Sequence, residues 1–155
     1  MIRKMEAQDL DQVMEIWLNS NMEAHDFVPE KYWKDHYVEV KEMLPEAEVY
    51  VLARDGRIRG FIGLMDSYIA GIFVEGSCRS QGIGKQLLAY VKSTRQELSL
   101  SVYKQNKAAV RFYQRENFRI QRETVDVETS QREYTMFWKN DSRNHASKKL
   151  SAVVF

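Results

Sequence analysis

The stretch from Ile72 to Lys85 constrains this chain more than any other. It begins as an apolar strand, Ile72-Phe73-Val74, and runs through Glu75-Gly76-Ser77-Cys78-Arg79-Ser80-Gln81-Gly82-Ile83-Gly84-Lys85 into Gln86-Leu87-Leu88-Ala89-Tyr90-Val91-Lys92. Ile83, Leu87, Leu88 and Val91 share one face of a helix. The order is therefore strand, glycine loop, helix N-terminus. A helix N-terminus leaves backbone amides unpaired and carries a partial positive charge. Glycines there let a ligand come close to the backbone. Together these features make a candidate cradle for a phosphate or pyrophosphate. A turn with two convenient glycines is the competing reading, and the rest of the chain decides between them.

The flanking segments point to a mixed sheet. Met1–Met5 is a short strand, and Asp9 opens a helix with Leu10, Val13, Met14 and Trp17 on one face. That pattern weakens near Asn19-Ser20-Asn21. His25 to Pro29 is a connecting loop, and a second helix carries Tyr32, Trp33, His36, Tyr37 and Val40. Strands over Glu48–Ala53 and Ile58–Met65 flank an Asp55-Gly56 hairpin signal. Ser67–Val74 is a third strand, in which Gly71 suggests a bulge or the close approach of a ligand. A helix over Gly82–Arg95 and an alternating strand over Leu98–Tyr103 follow. Asn106 can cap the next helix, which carries Ala109, Phe112 and Tyr113 and can end on a left-handed Asn117. Phe118–Val127 and Arg132–Trp138 are the closing strands. Hairpins in the middle and at the end argue for a mixed sheet and against a fully parallel alternation. The expected class is α/β (α+β): a mixed, mostly antiparallel sheet of six to seven strands flanked by about four helices. Residues 1–139 form a single domain in this reading. Residues 140–155 form a polar, basic tail, poorly ordered or docked by its apolar end.

Composition removes several classes. A net charge of +1 provides no global field for nucleic acid or an anionic membrane. No apolar run reaches the ~20 residues of a membrane span, and the first residues lack a signal-peptide core. One cysteine, Cys78, excludes a disulfide within the chain and suits a reducing cytoplasm. The three histidines and the cysteine form no ligand pair at short spacing, so no metal is expected.

The loop fails three familiar spacings. A P-loop needs a glycine where Arg79 stands and Ser or Thr where Gln86 stands. The dinucleotide fingerprint needs a third glycine at Leu87. A nucleophile elbow around Ser80 needs a glycine in place of Cys78. Arg79-x-x-Gly82-x-Gly84 after a strand ending in Val74 instead resembles the pyrophosphate motif of the GNAT N-acetyltransferases, which use acetyl-CoA. About twenty residues on, Asn106-x-x-Ala109-x-x-Phe112-Tyr113, with Asn117-Phe118 after it, is similar to a second element of that family. The element order also agrees, so the resemblance spans roughly residues 1–138. Trp17, His25-Asp26-Phe27 and Trp33 resemble small bacterial members of the YiaC and YjaB type, for some of which protein lysine acetylation is reported. There are two departures. Gly76 stands where proline is frequent, and Asn117 where glycine is usual.

The resemblance implies roles. Arg79, Ser80, Gln81, Gly82, Ile83, Gly84 and Lys85 would wrap the pyrophosphate of acetyl-CoA. Ile72, Phe73 and Val74 would pair their backbone with the pantetheine arm. Asn106 would touch that arm or cap its helix. Tyr113 would be the general acid that protonates the leaving thiolate; its plain alternative is core packing beside Phe112. The acceptor's ammonium also needs a base, because lysine titrates near ~10.4. His25, Asp26 and Glu75 are candidates, and His25 enters as the catalytic choice because its pKa lies near neutrality. Trp17, Phe27, Tyr32, Trp33 and Tyr68 either line the acceptor pocket or belong to the core.

The implied activity is acetyl transfer to a primary amine, preferably a protein lysine or N-terminal amine, by direct attack in a ternary complex. A small-molecule amine is the alternative acceptor, and the protein would act as monomer or homodimer. A non-catalytic acyl-CoA-sensing module is a further alternative; a hydrolase using Ser80 is a third.

Overall fold

Asp55 and Gly56 both adopt positive φ (55° and 75°), the two-residue turn that the Asp-Gly pair predicts, and the strands on either side build the centre of the sheet. The computed structural model describes residues 1–140; the rest of the expected tail, 141–155, lies outside the described residues. The elements are β1 (Ile2–Lys4), α1 (Leu10–Ala24), α2 (Glu30–Met43), β2 (Glu48–Arg54), β3 (Arg57–Met65) and β4 (Tyr68–Val74). Then come α3 (Ile83–Lys92), β5 (Glu97–Tyr103), α4 (Lys107–Arg115), β6 (Arg119–Asp126) and β7 (Gln131–Lys139). Helix α1 continues through the weak pattern at residues 19–21. There the buried Asn21 turns its amide back onto the Trp17 carbonyl at 2.9 Å, so its polar group is satisfied inside the helix.

The seven strands form one sheet in the order β1-β2-β3-β4-β5-β7-β6. Every neighbouring pair is antiparallel except β4–β5. Alternation along the strands divides the core between the two faces. On one face Ile62, Leu64, Leu98, Leu100 and Met136 pack against Ile83, Leu87, Leu88 and Val91 of α3, with Tyr113 of α4. On the other, Val49, Val51 and Phe61 pack against Val13, Met14 and Trp17 of α1, with Trp33 of α2. Trp17 and Trp33 meet edge to face at 6.0 Å and are core residues, each 8% exposed.

The feature that positions the site is a short pairing. β4 and β5 are in register only at Tyr68–Ser99 and Ile69–Leu100. Directly beyond, the β3–β4 register shifts between Gly63 and Leu64, which face Gly71 and Ile69, so Ala70 is the extra residue of a bulge. A bulge bends its strand and raises the local twist. The rest of β4 thus leaves β5, and a cleft opens between them. Gly71 lies at this bend with the Phe73 ring over it; a Cβ there would meet the ring at 2.3 Å.

Candidate active site

The cleft, about 1170 Å³, is bounded by the end of α1, β4, the loop before α3, and α4. Its loop wall is a cradle of amides. Ser80 (φ 63°) and Gly82 (φ 77°) are both left-handed, which turns successive N–H groups toward one side. Helix α3 begins at Ile83, and its first capped bond is Gln86 N–H to the Gly82 carbonyl at 3.0 Å. Among the described residues, no acceptor meets the amides of Ser80 through Lys85. Arg79 reaches over the loop to Glu23 at 3.4 Å, and Lys85 is exposed without an ion-pair partner among the described residues. All the predicted loop residues line the cleft except Gln81. Its amide oxygen is taken by Arg54 at 2.6 Å, so its side chain braces the loop from outside.

The strand wall offers a free backbone edge. Glu75 N–H bonds the Arg59 carbonyl at 2.8 Å, and Gly60–Val74, Phe61–Phe73 and Ile62–Ile72 follow in register. The alternation of an antiparallel ladder then turns Phe73's peptide groups toward β3 and those of Ile72 and Val74 toward the cleft. The Val74 carbonyl accepts from Ser20 Oγ at 3.2 Å. Phe73 contributes its ring to the opposite face, stacked on Phe61 at 4.9 Å.

Helix α4 supplies the third wall. Asn106 Oδ1 accepts from the Ala109 amide at 3.3 Å and so caps the helix. At its other end Asn117 is left-handed (φ 72°), with Phe118 N–H bonded to the Tyr113 carbonyl at 2.9 Å and Asn117 N–H to that of Gln114 at 3.1 Å. This paired C-cap anchors the turn bearing Tyr113. The Tyr113 ring is wedged between Phe112 (5.2 Å) and Phe118 (5.6 Å). Tyr113 lines the cleft, its hydroxyl has no hydrogen bond among the described residues, and burial raises its pKa.

His25 sits at the cleft's far rim inside a box of rings: Trp33 at 5.3 Å, Phe27 at 5.6 Å and Tyr103 at 5.0 Å. Its Nε2 lies 3.2 Å from Asn106 Nδ2. Because Asn106 Oδ1 already serves the cap, the amide nitrogen donates and His25 accepts, which puts the imidazole proton on Nδ1. That nitrogen is buried without a partner. Burial lowers the His25 pKa to about 4, so the ring is neutral near pH 7 and a weak base toward an ammonium. Glu75 is equally occupied. It binds Arg57 (3.1 Å), Arg59 (3.0 Å) and Ser77 (2.7 Å), and those bonds hold its pKa below the ordinary value. Asp26 is exposed, and Tyr68, 39% exposed, lies where β4 and β5 still pair.

Similarity to known proteins adds the decisive observation. An acetyltransferase (GNAT) domain model matches residues 9–132. The chain belongs to the GNAT family. It is 34% identical to the peptidyl-lysine N-acetyltransferase YiaC of Escherichia coli K12, over 89% of this chain and 96% of that protein. It is 31% identical to the peptidyl-lysine N-acetyltransferase YjaB of Salmonella typhimurium, over 77% and 83% of the two chains. The solution structure of apo YjaB from E. coli superposes with a TM-score of 0.80 at 26% identity, covering 89% of this chain and 96% of that one. The GNAT fold is also shared with an aminoglycoside 6'-N-acetyltransferase solved with coenzyme A (TM-score 0.72, 15% identity, 90% and 97% covered).

This GNAT protein is an N-acetyltransferase, and its fold is the mixed, mostly antiparallel sheet with four helices expected from the sequence. No helix among the described residues is long and apolar enough to cross a membrane. Sequence reasoning missed the α1 wall of the cleft (Ser20, Asn21, Ala24) and the basic pair Lys107 and Arg115. The polar break at Asn19-Ser20-Asn21 was the available signal. A helix that stays continuous while its apolar face turns polar is presenting that face to something wet.

Proposed function

We propose that this enzyme transfers the acetyl group of acetyl-CoA to a lysine or N-terminal amine of a polypeptide, by direct attack in a ternary complex. The observation that carries this is the convergence on one cleft of five residues with unpaired amides (Ser80 and Gly82 to Lys85), a free strand edge and a tyrosine whose hydroxyl is unengaged. The names of YiaC and YjaB support a lysine acceptor.

Bound acetyl-CoA supplies an activated thioester carbonyl and a thiol leaving group. The chain supplies the remaining roles. The amides of Ser80 to Lys85 hold the pyrophosphate, with Arg79 and Lys85 adding charge. Ile72 and Val74 pair with the pantetheine amides, as a strand pairs with a sheet edge. Phe73 keeps the strand in place from behind. Asn106 caps α4 and fixes His25 at the rim. Tyr113 keeps its proton at neutral pH because it is buried, and it donates that proton to the departing sulfur. His25, neutral and hydrogen-bonded, shapes the acceptor side of the cleft. The single buried thiol, Cys78, suits a cytoplasmic enzyme.

Thiol release from acetyl-CoA over a panel of lysine peptides and small amines tests the assignment. Tyr113→Phe should lower kcat by about 10²-fold or more while the acetyl-CoA KM stays within about twofold. The Tyr113 hydroxyl has no partner to orphan, so the folded state should lose under ~1 kcal/mol. Unchanged turnover would remove Tyr113 from the chemistry.

A further inference from the structure

One partly buried carboxylate near the cleft is left uncompensated. Glu133 lies on β7 directly opposite Tyr103 of β5 and Thr124 of β6. Strand alternation sends Glu133 and Thr135 to the α1/α2 face, because Tyr134, Met136 and Trp138 serve the opposite core. The neighbouring β5 residue on that face, Ser101, pairs with Thr135 and is exposed in mid-sheet. The helices therefore leave this part of the sheet open, with small polar residues as its floor. The open floor adjoins the aromatic rim. Tyr103 touches the His25 ring at 5.0 Å, and His25 bonds Asn106 on the cleft wall.

The neighbouring acids Asp126 and Glu128 have partners. Asp126 accepts from the Tyr103 hydroxyl at 2.8 Å and from the Glu128 amide at 3.0 Å. Glu128 meets His36 of α2 at 3.2 Å. Tyr32 of α2 lies in the field of Glu128, Asp126, Glu39 and Glu133 together. Arg122 shares the face from β6 and forms no ion pair with Glu133. Among the described residues Glu133 has neither a hydrogen bond nor a salt bridge. A carboxylate that loses water without gaining a partner is destabilised until a cation arrives. Desolvation, and then the charge of Asp126, correspondingly raise its pKa, which makes it a better base than an ordinary glutamate.

We infer that Glu133 receives the acceptor's ammonium on the open β5–β7 face and takes its proton, leaving the free amine to attack. This rests on the acetyltransfer function proposed above. One N–H bond of the ammonium breaks and an O–H bond forms on Glu133. The amine's lone pair forms the C–N bond as the C–S bond breaks. The sulfur takes the Tyr113 proton, and the nitrogen's second proton restores Tyr113. Glu133 returns its own proton to solvent. The substrate class that fits is a primary ammonium on a flexible aliphatic arm, as in a lysine side chain, with an aromatic collar from Tyr103 and Tyr32.

The test compares wild type, Glu133→Gln and Glu133→Asp on a lysine peptide and on the same peptide with an aminooxy group in place of the lysine amine. The aminooxy nucleophile is neutral at pH 7 and needs no base. Glu133→Gln should lower kcat/KM on the lysine peptide by about 10²-fold and change the aminooxy rate by less than about threefold. Glu133→Asp should recover part of the loss, and the acetyl-CoA Kd should not move. In the Gln variant the acidic limb of the pH–rate profile on the lysine peptide should move up toward the lysine's own pKa of ~10.4, because only amine already deprotonated in solution can then attack. Equal losses on both peptides, or no loss on lysine, would overturn the assignment while leaving the acetyltransfer function standing. A wild-type enzyme inert toward every amine would instead overturn both.

Discussion

At the scale of single residues, the reactivity of a side chain is set by what its neighbours leave unpaired. His25 shows the opposite case. Its ring is enclosed by Trp33, Phe27 and Tyr103, and burial moves its pKa from 6.5 to about 4. The unfolded chain therefore binds this proton near 6.5, and the folded protein only near 4. Between those values a falling pH favours the unfolded chain. The penalty reaches roughly 3 kcal/mol at most, grows no further below about 4, and is absent above 6.5. Stability measured by urea midpoints should thus drop on acidification through this window. His25→Phe, which keeps a ring in the box, should flatten the slope; an unchanged slope would show that other groups carry it. The sequence placed His25 near the site but could not reveal this environment. A histidine between Ala24 and Asp26 in a connecting loop reads as titratable near neutrality, and the packed rings are what keep it neutral down to about pH 4.

Among the elements, the seating of α3 on the sheet decides whether the loop amides converge. Gly60 of β3 makes that seating possible. A Cβ at this position would lie 2.8 Å from Ile83 Cγ2 and 2.9 Å from the Phe73 carbonyl oxygen. The first atom belongs to the opening residue of α3, the second to the backbone of β4. Gly60→Ala must therefore push α3 outward or distort β4, at an expected cost of about 1–3 kcal/mol. Because the cradle starts at that helix end, acetyl-CoA binding should weaken by more than the stability loss explains. Calorimetric titration well below the variant's Tm checks this, and wild-type affinity would refute it. The strand–loop–helix unit, the Asp55-Gly56 hairpin, the Gly71-region bulge and the left-handed Asn117 were all legible, because each is local chemistry of one or two residues. Helix α1 beyond Ser20 was less so, since a buried Asn21 bonded within its own helix breaks the apolar pattern without breaking the helix. The two-residue β4–β5 pairing was not legible from strand patterns at all. It depends on residues about thirty positions apart in sequence.

For the molecule as a whole, the net charge of +1 conceals a division between two sides. Arg79, Lys85, Lys107 and Arg115 line the cleft. Asp126, Glu128 and Glu133 gather around Tyr32 and the β6–β7 hairpin. A sum over the sequence hides this, because strand register and helix placement sort the signs, and Glu133 was invisible beside Arg132 in a run that reads as ordinary strand surface. The consequence is a different salt response for each substrate. A polyanionic nucleotide meets exposed cations, whose attraction is screened over a Debye length of ~8 Å at physiological ionic strength. The acetyl-CoA Kd should therefore rise about tenfold between ~0.05 M and ~0.5 M salt. Acetyl-pantetheine, which has the thioester and arm but no phosphates, should bind weakly and with almost no salt dependence. Parallel slopes for the two ligands would place the binding energy in the pantetheine arm and refute the electrostatic role of the cleft cations. On the acceptor side, lysine peptides flanked by basic residues should outpace those flanked by aspartate at low salt. That preference should shrink as salt rises, because the acidic hairpin is exposed and screened in the same way.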